Sequence, residues 1–267
     1  VAALVPPGAL VLAVGGQGLA AALAERGLAP TTSAADDPAA VLQGYDPELA
    51  WPLLAEGAYA LARGIPWVAT NTDLTIPTAR GIAPGNGTFV AMLATTTGRV
   101  PVVAGKPEPP LMQESLERTG AHRALVVGDR LDTDIAGGAR CGLATLLVLT
   151  GVTDLEALLR APVGQRPSHV GLDLRALHEP GTVAHLADGG CTAGGWTWRV
   201  APGGEGRPGV VELLAAGPRA ADAVHSLALT CWQGADDGEE LEVSGAVATV
   251  AAAVEAGRAE GQENSAL

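Results

Sequence analysis

The stretch Val126–Ile135, VVGDRLDTDI, places three carboxylates, Asp129, Asp132 and Asp134, within six positions after an apolar run. Acids at the edge of a core cost free energy unless a cation or hydrogen bonds offset them. Asp129 ends a predicted strand, and Asp134 lies five residues on, at the start of a predicted helix that opens with small residues. Two carboxylates converging at a strand end suit a hard, oxygen-seeking cation such as Mg2+. The plainer alternative is that Asp132 or Asp134 merely caps the helix over 134–141. That account suits Asp132, and it fails for Asp129, which stands too early to cap. A second charge stands in AGKPEPP (104–110), where Lys106 follows a predicted strand and precedes a helix N-terminus. A lysine there adds a full charge to the partial positive end of the helix, which suits an anion such as a phosphoryl group. A solvent-exposed loop lysine fits the same residue equally well. Asp132-Thr133-Asp134 also mimics the Asp-x-Asp of a phosphoryl-transfer nucleophile loop. Such a loop directly follows an apolar strand and runs on into Gly-Thr or Gly-Val, and this one does neither.

These groups need elements to hold them. Apolar runs bounded by glycine, alternating with helical stretches, predict strands over Ala9–Gly15, Ala39–Gly44 and Pro66–Thr70, and helices over Leu19–Arg26, 47–63 and 88–97. The segment TIPTARGIAPGNG reads as a loop rich in Pro and Gly. A second group starts near Val100, with strands at 101–104, 124–127 and 144–149, helices at 109–119, 134–141 and 154–159, and a last short strand in SHVGLDL. Strands joined by crossover helices imply a parallel sheet covered on both faces, with ligands at the carboxyl ends of its strands. Lys106 and Asp129 both stand just past strand ends, so both could face one crevice. From about Gly181 the texture changes to a β-β-α-β-α pattern holding Trp196, Trp198 and Trp232, with a polar tail, AEGQENSAL, expected to fray.

Composition narrows the choices. The 267 residues carry 29 acids against 16 bases, a net charge of −13, which argues against non-specific nucleic-acid binding, since that depends on Lys and Arg neutralising phosphates. No apolar run reaches the roughly 18 residues of a membrane helix. The chain opens on Val1 with no basic region ahead of an apolar stretch, so no signal peptide is expected, and residues upstream of Val1 are. The three cysteines, Cys141, Cys191 and Cys231, form no CxxC pair, which implies reduced thiols in a cytoplasmic protein. The histidines form no metal-binding cluster. GGQG (15–18), with Asp36 or Asp37 about twenty residues on, imitates a dinucleotide fingerprint. Ala21 occupies the last glycine position of that pattern, and a plain tight turn is the better reading.

Strand–GKP–helix, then strand–GDRLDTDI–helix, then the strand LLVLTGV resembles the haloacid dehalogenase (HAD) superfamily of phosphatases, and more narrowly its subfamily IIA, the class with a large α/β cap. WVATNTD, APGNG, GKPEPP, GDRLDTDI and LVLTGV occur in the family's order and at its spacing. The resemblance covers nearly the whole chain and is specific through residue 180. It implies an α/β fold: a large α/β cap (1–99), the second half of a Rossmann-like HAD core (100–180), and a small C-terminal α+β extension (181–267). It implies Mg2+-dependent hydrolysis of a small phosphorylated metabolite, with glycerol 3-phosphate the substrate expected, through an aspartyl-phosphate. By the same resemblance Lys106 neutralises the phosphate, Asp129 is the metal ligand, Asp134 orients water at the metal, and Asn71 and Asp73 belong to a cap loop facing the substrate. The aspartate nucleophile of the family has no match here, so the chain by itself is expected to be inactive, as a truncated phosphatase. The alternatives are a non-catalytic binding protein, an inactive fragment of such a phosphatase, or a nucleotide-cofactor binder using GGQG. No coenzyme A loop is present in the extension, and a contact between copies of the chain is one role open to it.

Overall fold

The computed structural model describes residues 1–187, 189–204 and 207–263, with side chains through residue 257. The chain forms two compact units, Val1–Ser115 and Leu116 onward.

The first unit is built on β1 (Leu10–Val14), α1 (Gln17–Glu25), β2 (Ala29–Thr31), β3 (Ala40–Gln43), α2 (Trp51–Leu61), β4 (Trp67–Ala69), β5 (Thr75–Thr78), β6 (Gly81–Pro84), α3 (Asn86–Thr97) and β7 (Val102–Val103), and ends within α4 (Pro109–Thr119). Five strands pair in parallel in the order β2-β1-β3-β4-β7. Alternation along the strands divides the apolar side chains between two faces. Leu12, Val14, Val41, Trp67 and Ala69 pack with Leu54, Leu61 and Leu93 of α2 and α3. Val11, Ala13, Ala40, Leu42 and Val68 pack with Leu19 and Leu23 of α1. Burial on both faces is why these strands read as unbroken apolar runs rather than as alternating ones.

The second unit continues with β8 (Leu125–Gly128), a π turn over Leu131–Ile135, α5 (Ala136–Arg140), β9 (Ala144–Val148), α6 (Leu155–Leu159) and β10 (His169–Gly171). These strands form a parallel sheet in the order β10-β9-β8. A second sheet follows, of β11 (His185–Ala187), β12 (Gly190–Ala193), β13 (Trp196–Ala201), β14 (Gly209–Ala215) and, after α7 (Ala220–Asp236), β15 (Leu241–Glu242); α8 (Ser244–Glu263) closes the described chain.

Two expectations change. TIPTARGIAPGNG is not all loop: β5 and β6 pair as an antiparallel hairpin. Its Pro77 and Pro84 lie in an isolated two-stranded ribbon, where a strand can do without a ladder donor. Among its described residues the extension carries four strands before α7 rather than two, and ELEVSGA gives only β15, because Ser244 already opens α8. The tail is helical through Glu263, and 264–267 lie outside the described residues. Packing separates the two units between Ser115 and Leu116. Val102–Val103 is the fifth strand of the first sheet, bonded to β4, and the division falls inside α4.

The extension is not separate from the parallel sheet beside it. Leu131, Ile135, Leu147, Leu158 and Val170 share one apolar core with Trp198, Val224, Leu227, Trp232 and Val250. The Trp232 indole N–H donates to the Leu158 carbonyl at 3.0 Å. Arg166 lies over the Trp232 ring, 5.5 Å from its centroid, while both its terminal nitrogens bond Asp236 at 2.6 and 2.8 Å.

His225 of α7 faces His169 of β10 across this junction, ring centroids 6.4 Å apart. Burial, reinforced by His169 and opposed by Asp222, pushes the His225 imidazole down from 6.5 to about 4. The unfolded chain therefore binds a proton that the folded one refuses between those values. Stability from this group is complete above pH 6.5 and is lost as the pH falls toward 4, by up to about 3 kcal/mol. Thermal unfolding followed from pH 7 to 4.5 is expected to show this fall, and His225→Gln to flatten it; parallel curves for the two proteins would contradict the assignment.

Candidate active site

The candidate residues fall on both units. In the first, Asn71 and Asp73 follow the carboxyl end of β4, and Lys106 follows that of β7. Gly105 lies against the backbone of Thr70 and the side chain of Asn71, so the two loops meet. Lys106 is exposed, and the peptide joining it to Pro107 is cis. The Asn71 carboxamide oxygen accepts from the Asp73 N–H at 3.2 Å, and the Asn71 carbonyl accepts from Asn86 Nδ2 at 2.7 Å. Gly87 N–H donates to the Asp73 carbonyl and Gly85 N–H to the Leu74 carbonyl, both at 2.8 Å. The loop is thereby joined to the first turn of α3, leaving the Asp73 side chain exposed. Asn86, 1% exposed, is a part of this arrangement that sequence reasoning missed. APGNG showed only turn formers, and nothing in their spacing marks a buried donor.

In the second unit both acids gather at the carboxyl end of β8. Asp129 is half-buried, and its Oδ2 accepts from the Val152 N–H at 2.8 Å. Asp134 is 5% exposed, and its Oδ2 accepts from the Arg130 N–H at 3.1 Å. Its carboxylate lies against Gly128, where a Cβ would overlap it. The helix expected to start at Asp134 begins earlier. Ile135 N–H reaches back five residues to the Arg130 carbonyl at 3.1 Å, the signature of a π turn. Asp134 thus sits inside a helical turn that returns its side chain to the strand end, where it accepts from the backbone N–H of the residue that precedes the turn. Asp132 points elsewhere: its carboxylate is paired with Arg130 at 2.7 Å, and that hydrogen bond holds it below the usual carboxylate range. Both partners reach solvent, with side chains 41% and 57% exposed, so the pair contributes little to stability.

Among the described residues no three His, Cys, Asp or Glu side chains gather as a metal cluster. Mg2+ does not require one. It is held by one or two carboxylates, keeps several waters, and takes further oxygens from a phosphate. Asp129 and Asp134, brought to one strand end, fit that donor set. The acids that a dinucleotide fingerprint would need are engaged otherwise: Asp36 accepts from Thr31, and Asp37 pairs with Arg63 at 3.0 Å. The glycine-rich segment of the extension links two antiparallel strands, β13 and β14, as a hairpin would, with Glu205 and Gly206 outside the described residues.

The HAD-hydrolase-like family matches residues 103–177. The chain is 50% identical over 182 residues to D-glycerol 3-phosphate phosphatase of Mycobacterium tuberculosis, covering 68% of this chain and 51% of that one. It is 40% identical over 152 residues to acid sugar phosphatase of Staphylococcus aureus, covering 56% and 58%. The chain spans about half the length of these curated relatives. The crystal structure of glycerol phosphate phosphatase from Mycobacterium tuberculosis in complex with magnesium superposes with a TM-score of 0.77 at 41% identity, over 87% of this chain and 68% of that one. No described helix is long and apolar enough to cross a membrane. Sequence identity and a shared fold over two thirds of a solved relative, with the two acids held at a strand end, show that the chain belongs to the haloacid dehalogenase superfamily of hydrolases, in its IIA-like branch.

Proposed function

We propose that this chain is the cap-bearing portion of a Mg2+-dependent phosphomonoester hydrolase whose substrate is glycerol 3-phosphate, working in the cytoplasm. In this reading residues 1–99 are the cap, 100–180 the second half of the catalytic core, and 181–267 an extension. The observation that carries it is the placement of Asp129 and Asp134 together at the end of β8, one clamped by Val152 and the other turned back by the π turn. Lys106 holds the anionic oxygens of the phosphate, and Asn71 and Asp73 contact the remainder of the substrate. Asp129 is the metal ligand, and Asp134, held by the Arg130 N–H, orients water beside the metal. Bound Mg2+ supplies Lewis-acid neutralisation of the phosphate oxygens. Fixed charge of this kind, aimed at the transferring group, is the main lever in phosphoryl transfer. None of the 267 residues matches the aspartate nucleophile, so this polypeptide alone is expected to release no phosphate.

The test is a substrate panel. The chain is fused to the part of the mycobacterial relative that it does not span, in which the family's nucleophile aspartate is expected. Phosphate release with Mg2+ is then measured from glycerol 3-phosphate, a sugar phosphate and p-nitrophenyl phosphate. Glycerol 3-phosphate is expected to lead in kcat/KM by about tenfold or more, a difference of about 1.4 kcal/mol in transition-state binding. Equal values across the panel would overturn the substrate. No Mg2+-dependent release from any of them would overturn the phosphatase reading itself.

A further inference from the structure

Asp129 is held from a second strand end. After β9 the chain turns at Gly151, and the next two residues both bond Asp129. The Val152 N–H donates to Oδ2 at 2.8 Å and the Thr153 N–H to the backbone carbonyl at 3.1 Å. The Asp129 side chain lies where any side chain at Gly151 would begin: a Cβ built there falls 2.5 Å from the carboxylate carbon and 2.7 Å from the Asp129 Cβ. That carbon cannot be accommodated without moving the acid. The Val152 side chain takes no part, being 67% exposed. What this turn contributes is a backbone donor and an empty space.

We propose that Gly151 and the Val152 N–H are positioning elements for the metal: they fix the Asp129 carboxylate at the end of β8 before a cation arrives. The inference rests on Asp129 being the metal ligand. A hydrogen bond to an ionised carboxylate is short and directional. With Oδ2 engaged and the side chain seated over Gly151, rotation of the carboxylate is restricted, and the remaining coordination geometry is set in advance. Partners that orient a ligating carboxylate typically govern 10–100-fold of metal affinity. The competing account is that the Asp129–Val152 bond merely ties down the turn after β9. On that account its loss lowers stability and leaves the affinity of a folded protein for metal unchanged.

Mn2+ separates the two accounts, because it takes oxygen ligands as Mg2+ does and broadens nearby amide signals. In the intact 267-residue chain, added Mn2+ is expected to broaden the amides around Asp129 saturably, and Asp129→Asn to abolish that local effect. Gly151→Ala is expected to weaken Mn2+ binding about tenfold or more while signals remote from β8 and β9 stay in place. Val152→Pro, which replaces the N–H by a ring methylene facing the same carboxylate, is expected to do the same, and Val152→Ala, which keeps the N–H, to bind as wild type. If Gly151→Ala does not fold, Val152→Pro at its exposed position decides. Wild-type affinity in folded Gly151→Ala or Val152→Pro, with Asp129→Asn unable to bind, would overturn the positioning role. Undiminished broadening in Asp129→Asn would overturn the metal assignment beneath it.

Discussion

Replacing Lys106 by alanine is expected to slow phosphate release by the nucleophile-fused polypeptide by about 10²–10³-fold, the size of effect seen when one preorganised charge or donor leaves a transition state. The argument is electrostatic. The oxygens of the transferring group carry their charge into the transition state, and in the proposed role the Lys106 ammonium would neutralise part of it. Lys106 is placed by the pairing of β7 with β4 and by the contact of Gly105 with Thr70 and Asn71. Its side chain is exposed and lies in neither apolar cluster of the first unit, so truncation is expected to leave folding intact. Lys106→Arg is expected to recover part of the rate, since it keeps the charge and changes its shape. Loss of activity together with loss of the folded amide spectrum would point to a structural lysine, and an unchanged rate would remove it from the site.

Trp198→Ala is expected to destabilise the second unit by about 3–5 kcal/mol, the range for emptying a buried aromatic site. Trp198 is 1% exposed and stacks on Trp196 with centroids 6.2 Å apart; its indole N–H donates to Ser226 Oγ at 3.1 Å. The substitution leaves a cavity in the core shared by the extension and the β8–β10 sheet, and it deprives a buried hydroxyl of a partner. Because that core is shared, α7 and β9 are expected to lose hydrogen-exchange protection together. Trp51→Ala, at a site 71% exposed, is expected to change stability by no more than about 0.5 kcal/mol. Independent unfolding of residues 181–267, with β9 unaffected, would contradict the single-core description.

The central strands and crossover helices were legible because burial on both faces leaves apolar runs that no loop would carry. The position of Asp129 at a strand end was legible for a related reason: an apolar run that stops at an acid marks where the buried strand ends. Edges were harder to read. β2 is short and contains Pro30, and β5–β6 contains two prolines, so both carried the composition of loops. The division inside α4 was hidden because Val102–Val103 looks alike whichever sheet receives it; only the bonds to β4 decide. Periodicity likewise could not show that Trp232 and Leu158, 74 positions apart, share one core. At the site, the π turn and the Val152 N–H are backbone features. LVLTGV announces a strand ending in glycine, and it does not say whose carboxylate fills the space that the glycine leaves.

The most direct measurement is the rate of phosphate release from glycerol 3-phosphate by the nucleophile-fused polypeptide as Mg2+ is titrated, with wild-type sequence and with Asp129→Asn. The expected result is a saturable dependence on Mg2+ in the wild type and a loss of about 100-fold or more in Asp129→Asn at every Mg2+ concentration, as befits removal of a charged group acting in the transition state. Release that ignores Mg2+, or that continues undiminished in Asp129→Asn, would contradict the assignment of the β8 carboxylates as a phosphatase metal site.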